Sequence, residues 1–99
     1  YALWHLDGPD EIRHLDDICS VPRLRAIQWV DTRRQGPLVY TDLFRRILAL
    51  RRSVIFVVRS ADEALEMTRR LGKDRVAMSL AFPMTPRDLD ALERRLKSL

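Results

Sequence analysis

Short apolar segments alternate with amphipathic segments along the whole chain, and this alternation predicts four strands, each followed by a helix. The predicted strands are Tyr1–Leu6, Ala26–Val30, Val54–Val58 and Val76–Phe82. Helix starts are predicted where Pro, acidic residues or a capping side chain precede apolar positions spaced three and four apart, at Gly8-Pro9, Asp42, Ser60 and Thr85. Because a helix lies in every connection, neighbouring strands are expected to be parallel.

This order predicts an α/β fold of four consecutive βα units. Two architectures use such a series, an open doubly wound sheet and half of a TIM-type (β/α)8 barrel. The run Val54–Val58 consists entirely of β-forming residues and predicts a strand that is buried on both faces. Ser60 followed by Glu63 predicts a capping box at the start of the third helix, which is expected to run to Gly72.

The length of 99 residues allows one domain, so residues 1–99 are predicted to form a single α/β unit. With 46% apolar residues the chain can bury a core. The start at Tyr1, where a complete protein would have Met, predicts a fragment of a longer barrel. No apolar run approaches the ~20 residues that span a bilayer, so no membrane partner is expected.

Cysteine and tryptophan positions refine this prediction. Cys19 is the single cysteine, so neither an internal disulfide nor a cysteine-based zinc site is available, which favours a cytoplasmic location. Cys19 falls on the apolar side of the first helix, where a packing role is expected. Trp4 and Trp29, on adjacent strands, are interpreted as core residues.

Basic residues exceed acidic ones by 18 to 14, and most of the basic residues are arginines. Arginine pairs recur along the chain, at Arg33-Arg34, Arg45-Arg46, Arg51-Arg52, Arg69-Arg70 and Arg94-Arg95. Such pairs could form a phosphate- or nucleic-acid-binding surface. Because acidic residues are interleaved and aromatic partners are lacking, solvated helix faces are the favoured interpretation, and nucleic acid is not expected as a partner.

Candidate functional residues follow from the rule that parallel α/β folds bind ligands at the carboxyl ends of their strands. The polar and aromatic residues that fall at or near these ends are His5, Asp7, Gln28, Asp31, Arg59, Ser60, Ser79 and Phe82. Ser60 is better explained as a helix cap than as a nucleophile. No Gly-rich dinucleotide loop, Walker loop, HExxH or CxxC motif occurs.

His5 and Asp7 are the predicted catalytic residues, because side chains two apart on a strand share a face. They could act as an acid–base pair or supply two ligands to a divalent metal. The alternative is that Asp7 and Gly8 merely end the strand. Gln28, Asp31 and Ser79 are the predicted substrate-binding residues, although Asp31 is also a common residue at a strand-to-loop boundary.

A family resemblance supplies a sharper functional expectation. The run His5-Leu6-Asp7-Gly8-Pro9, then Ile12, His14, Leu15 and Asp16, and then Ala26-Ile27-Gln28-Trp29-Val30 resembles the C-terminal part of the uroporphyrinogen decarboxylase-like superfamily. That superfamily includes porphyrinogen decarboxylases and corrinoid- or thiol-linked methyltransferases on (β/α)8 barrels. The order of strands and helices resembles that of the family along the whole chain, whereas the sequence motifs are similar only in residues 5–30.

The resemblance implies that the chain corresponds to the second half of such a barrel. The methyltransferases carry a His-x-Cys-Gly zinc motif at this point, which His5 and Gly8 match, whereas Asp7 replaces the cysteine. A His and Asp pair would suit a harder metal than zinc held by thiolate. The segment Asp31–Gly36, where the family has an active-site loop, is basic.

Because the N-terminal half is missing, the chain is expected to be inactive alone and to require that half or a second copy of itself. The alternative function is a small non-catalytic α/β interaction module that binds a protein or an acidic partner.

Overall fold

The computed structural model describes residues 2–99, so the predicted strand residue Tyr1 lies outside the described residues. Four strands form one sheet: β1 (Ala2–Asp7), β2 (Leu24–Val30), β3 (Ser53–Val58) and β4 (Val76–Leu80). Their spatial order follows the chain, β1-β2-β3-β4, and every adjacent pair is parallel. The predicted α/β fold of four βα units is therefore confirmed, with the strand order of half a (β/α)8 barrel.

Helices follow each strand and begin close to the predicted positions. They are α1 (Leu15–Cys19), α2 (Thr41–Ala49), α3 (Ala61–Leu71) and α4 (Pro86–Lys97). Short 3-10 segments, Pro9–His14 and Pro37–Tyr40, lead into α1 and α2. In both segments proline occupies the first turn, where its missing N–H costs no hydrogen bond.

Side-chain caps fix the starts of the last two helices. Thr85 accepts a hydrogen bond from the Asp88 N–H and the Asp88 carboxylate accepts one from the Thr85 N–H, both 3.1 Å long. The capping box predicted for α3 is only half correct. Ser60 Oγ accepts the Glu63 N–H at 3.0 Å, but the Glu63 carboxylate accepts the N–H of Arg59 at 2.8 Å.

The helices cover one face of the sheet and bury its side chains. The strand residues on this face that are buried are Leu6, Ile27, Trp29, Val54, Phe56 and Val58. The Phe56 ring stacks on Phe44 of α2 with centroids 4.5 Å apart. The Trp29 ring packs against the Tyr40 ring, with centroids 4.6 Å apart. The hydrophobic core therefore lies in a single layer between sheet and helices.

The other face of the sheet carries no helix, and we call it the open face. Its half-buried or exposed side chains are Leu3, His5, Asp7, Gln28, Val30, Ile55, Val57, Ala77 and Ser79. The prediction that β3 is buried on both faces is therefore wrong. Val57 is 44% exposed, because the three connections place their helices on the same side of the sheet.

The two edge strands also expose large apolar side chains. Trp4 on β1 is 47% exposed, so its interpretation as a core residue is wrong, whereas that of Trp29, at 3%, is confirmed. Leu3 on β1 and Leu80 on β4 are similarly accessible. Both strands have one neighbour in the sheet, which leaves a row of backbone groups without strand partners at each edge.

Arg52 departs from the interpretation of the arginine pairs as solvated helix faces. Its guanidinium donates to the carbonyl of Leu50 at 2.7 Å and to that of Cys19 at 2.6 Å, with a longer contact to Val21 at 3.3 Å. Arg52 thus ties the end of α1 to the segment that follows α2.

Arg69 fits the solvated interpretation, whereas Arg70 fits it only in part. Both pair with Glu66 on the outside of α3, but Arg70 also donates to the Thr41 hydroxyl of α2 at 3.0 Å. Their hydrogen bonds, above all that from Arg70, lower the pKa of the Glu66 carboxyl.

Cys19 has the packing role that its position predicts. Its thiol is buried in the core, and this burial raises its pKa despite the opposing effect of Arg52. A buried thiol with a raised pKa is a poor nucleophile. Across residues 2–99, none of the helices has the length and apolar character needed to cross a bilayer.

Candidate functional site

The sheet register brings four predicted site residues onto the same face. His5 of β1 lies directly opposite Gln28 of β2, and Gln28 lies opposite Ile55 of β3. Asp7, two residues beyond His5, shares this open face at the carboxyl end of β1. Ser79 of β4 also lies on this face, three strands from β1 and opposite Val57 of β3. Polar groups from β1, β2 and β4 therefore face the same side.

The end of β1 also shows features of a structural turn. Gly8 has φ +85°, and a Cβ at this position would collide with the Thr32 side chain. Its N–H donates to the Val30 carbonyl at 3.1 Å, which joins the ends of β1 and β2. Gly8 therefore accounts for the turn. The Asp7 carboxylate makes no hydrogen bond within residues 2–99 and is left accessible.

The described residues do not form a complete metal centre. No group of three His, Cys, Asp or Glu side chains with suitable geometry occurs within residues 2–99. His5 and Asp7 could supply two ligands at most, so a metal here would need ligands from a substrate, water or another chain. The divalent metal predicted at His5 and Asp7 stays a prediction.

A cleft of about 410 Å3 opens between the carboxyl ends of β2 and β3. Ladder pairing between these strands stops at Gln28 and Ile55, and the cleft lies beyond that point. It is lined by Gln28, Trp29, Val30, Asp31, Arg34, Gly36, Pro37, Val57 and Arg59. Two predicted substrate-binding residues therefore line the cleft, whereas His5, Asp7 and Ser79 do not.

Asp31 shapes the loop that forms one wall of the cleft. Its carboxylate accepts the N–H of Gln35 at 3.2 Å and that of Gly36 at 2.7 Å. Its carbonyl accepts the Arg34 N–H, which closes a turn in which Arg34 has φ +52°. Since both carboxylate oxygens already hold the loop, Asp31 positions the cleft wall.

Arg59 forms the opposite side of the cleft at the end of β3. Its guanidinium is bound by the Glu63 carboxylate at 3.3 Å, which fixes it relative to the start of α3. Gly36 makes this placement possible, because a Cβ there would overlap the Arg59 guanidinium. The loop after β2 and the helix after β3 thus meet around Arg59.

Arg34 is the functional candidate that sequence reasoning did not single out. Within residues 2–99 its guanidinium has no ion-pair or hydrogen-bond partner, unlike that of neighbouring Arg33, which lies 3.8 Å from Asp10. The available signal was the basic character of the loop after β2. The sequence alone could not show which arginine of the Arg33-Arg34 pair lines the cleft.

Comparisons with protein-family models, with curated proteins and with solved structures give no match for this chain. The functional argument therefore depends on the geometry of the open face and the cleft.

Proposed function

We propose that the chain is the C-terminal half of a (β/α)8-barrel enzyme similar to the uroporphyrinogen decarboxylase-like superfamily, of decarboxylase or methyltransferase class. The observation that carries this proposal is the placement of His5, Asp7 and Gln28 on the open face near the strands' carboxyl ends. In a closed barrel, that face is the interior and those ends form the mouth of the active site.

Each residue would have a distinct role in such a pocket. His5 would exchange a proton with the substrate, since an imidazole can both accept and donate a proton. Asp7, on the same strand face, would orient the substrate or the imidazole. The Gln28 amide and Ser79 hydroxyl would donate and accept hydrogen bonds, while Asp31 would hold the loop at the mouth.

The proposal is tested by completing the barrel. The chain is fused to the N-terminal half of an enzyme of that superfamily, and the reaction of the parent enzyme is measured. We expect a folded, active fusion in which His5→Ala lowers kcat by about 100-fold or more, because that is what general acid–base catalysis typically contributes. His14→Ala is the matched control, since His14 is exposed on the 3-10 segment before α1.

Two results would contradict the proposal. An active fusion that is equally impaired by both histidine substitutions, or by neither, would exclude a catalytic His5. A fusion that does not unfold cooperatively would argue against the half-barrel relationship itself.

The partner of the isolated chain is proposed to be a second copy that takes the place of the missing half. The open face presents apolar Leu3 and Val57, and the edge strands β1 and β4 add Trp4 and Leu80. A two-fold axis parallel to the strands would set β4 of one copy beside β1 of the other, with all strands parallel. Both edges and both open faces would then be covered.

Sedimentation at micromolar concentration tests this assembly. We expect a species of twice the chain mass of 11.6 kDa, and Val57→Asp should shift it to the monomer because it places a charge in the buried interface. Val39→Asp is the control, since Val39 is 63% exposed but lies away from the open face. A monomeric parent chain that unfolds cooperatively would overturn the assembly and favour a separate interaction module.

A further inference from the structure

We propose that the cleft between β2 and β3 is a binding site for an organic anion, with Arg34 and Arg59 contacting a carboxylate or phosphate group. The proposal concerns residues of this chain alone and does not require a closed barrel. It adds a ligand class to a part of the molecule that the roles of His5 and Asp7 leave unused.

The arginines of the cleft favour an anion. Its charged lining residues are Arg34, Arg59 and Asp31, and the Glu63 carboxylate, 3.3 Å from the Arg59 guanidinium, brings the sum of these four charges to zero. The Asp31 oxygens are directed to backbone N–H groups of its own loop, at 2.7 Å and 3.2 Å, so that its negative charge is partly neutralised. Arg34 supplies the guanidinium that has no partner within residues 2–99, and Arg59 adds the N–H groups that are not directed at Glu63.

The two arginines differ in how they are held. Arg59 is oriented by Glu63 and fits against Gly36, so its position is fixed before a ligand binds. Arg34 lacks a partner within residues 2–99, although its backbone is fixed at φ +52° by the turn from Asp31. Arg51 and Arg75 share this left-handed conformation, so the backbone angle fixes the position of Arg34 without itself indicating a site.

The rest of the lining defines the body of the ligand. Val30 and Val57 supply apolar surface, Trp29 and Pro37 border the cleft but are otherwise buried, and Gln28 adds one amide that can donate or accept a hydrogen bond. The volume of about 410 Å3 is within the range of small-molecule sites. The combination fits a compact apolar or aromatic molecule carrying one oxyanion, and bidentate guanidinium contacts suit both carboxylate and phosphate.

Titration with benzoate, phenyl phosphate and inorganic phosphate tests the site. Calorimetry gives the Kd, and NMR follows the Nε–Hε signals of the arginines. We expect the aromatic anions to bind more tightly than inorganic phosphate and to shift the signals of Arg34 and Arg59. Arg34→Gln and Arg59→Gln should each raise the Kd about tenfold, since each removes a charge-assisted contact.

Arg33→Gln is the matched control, because it removes the same charge from the adjacent residue, which is paired with Asp10. Its Kd should stay close to that of the parent chain. If Arg59→Gln does not fold, Arg34→Gln still tests the site, because its guanidinium supports no other contact within residues 2–99. The ratio of Kd values for benzoate and phenyl phosphate identifies the preferred head group.

Three outcomes would overturn the proposal. These are no saturable binding of any of the three anions, an equal effect of Arg33→Gln and Arg34→Gln, and shifts confined to arginines outside the cleft. An equal effect would indicate general attraction to a basic surface. Anion binding by a chain whose barrel fusion fails would retain this site while contradicting the proposed enzyme class.

Discussion

Phe56→Ala is expected to lower the free energy of unfolding by about 3–5 kcal/mol, the largest effect of any single substitution proposed for this chain. Phe56 is 1% exposed at the centre of the sheet and stacks on the fully buried Phe44. Truncation removes the buried ring and leaves a cavity between β3 and α2. The surrounding side chains cannot fill it, because they are already closely packed. The free energy of unfolding of a native protein is roughly 5–15 kcal/mol in total, so this substitution would remove much of the stability.

Urea denaturation followed by circular dichroism measures this loss. Val57→Ala is the control in the same strand, because Val57 points to the open face, and we expect a change below about 1 kcal/mol when the chain is monomeric. Similar losses from the two substitutions would contradict the one-sided core. A small effect of Phe56→Ala would do the same.

Arg52→Met is expected to lower the free energy of unfolding by about 2 kcal/mol, because charge-assisted hydrogen bonds to three backbone carbonyls are lost. The substitution leaves the carbonyls of Cys19 and Leu50 without their side-chain donor. Part of the loss is recovered, since the Arg52 Nε is buried without a partner and methionine removes it. Thermal unfolding at matched concentration measures the difference.

Arg51→Met is the control for charge and side-chain volume. Arg51 is exposed, and its backbone stays at φ +60° in both forms, so we expect little change. Arg52→Lys should be intermediate, because an ammonium cannot span carbonyls from separate segments as a guanidinium fork does. Equal stabilities of Arg51→Met and Arg52→Met would show that the carbonyl contacts contribute nothing.

Periodicity predicted the order and type of the elements because local chemistry decides them. The caps at Ser60 and Thr85 and the proline at the first turn of α4 mark helix starts wherever the helix later packs. The apolar run in β3 likewise indicates a strand. The run could not indicate which face of the strand the helices cover, since a series of apolar residues looks the same in sequence whether one face or both faces are buried. Val57 was misjudged for that reason.

The candidate site was predictable only in part. His5 and Gln28 were found because strand ends can be located in the sequence and their side chains alternate. The different environments of Arg33, Arg34 and Arg52 could not be found, because they depend on contacts between segments that are distant along the chain. For Arg52, two of the three carbonyl partners lie 31 and 33 residues away.

The linear strand order has a consequence for how this molecule responds to local opening. Each strand is hydrogen-bonded only to the strands next to it in sequence, so that the sheet is a stack of units, each supported mainly by its neighbours. Cooperativity in such a stack is carried by the interfaces between units, and an outer unit can detach while the inner pair stays intact. Amide protons of β2 and β3 should therefore outlast those of β1 and β4 in exchange with solvent, and the cleft lies between those two most protected strands.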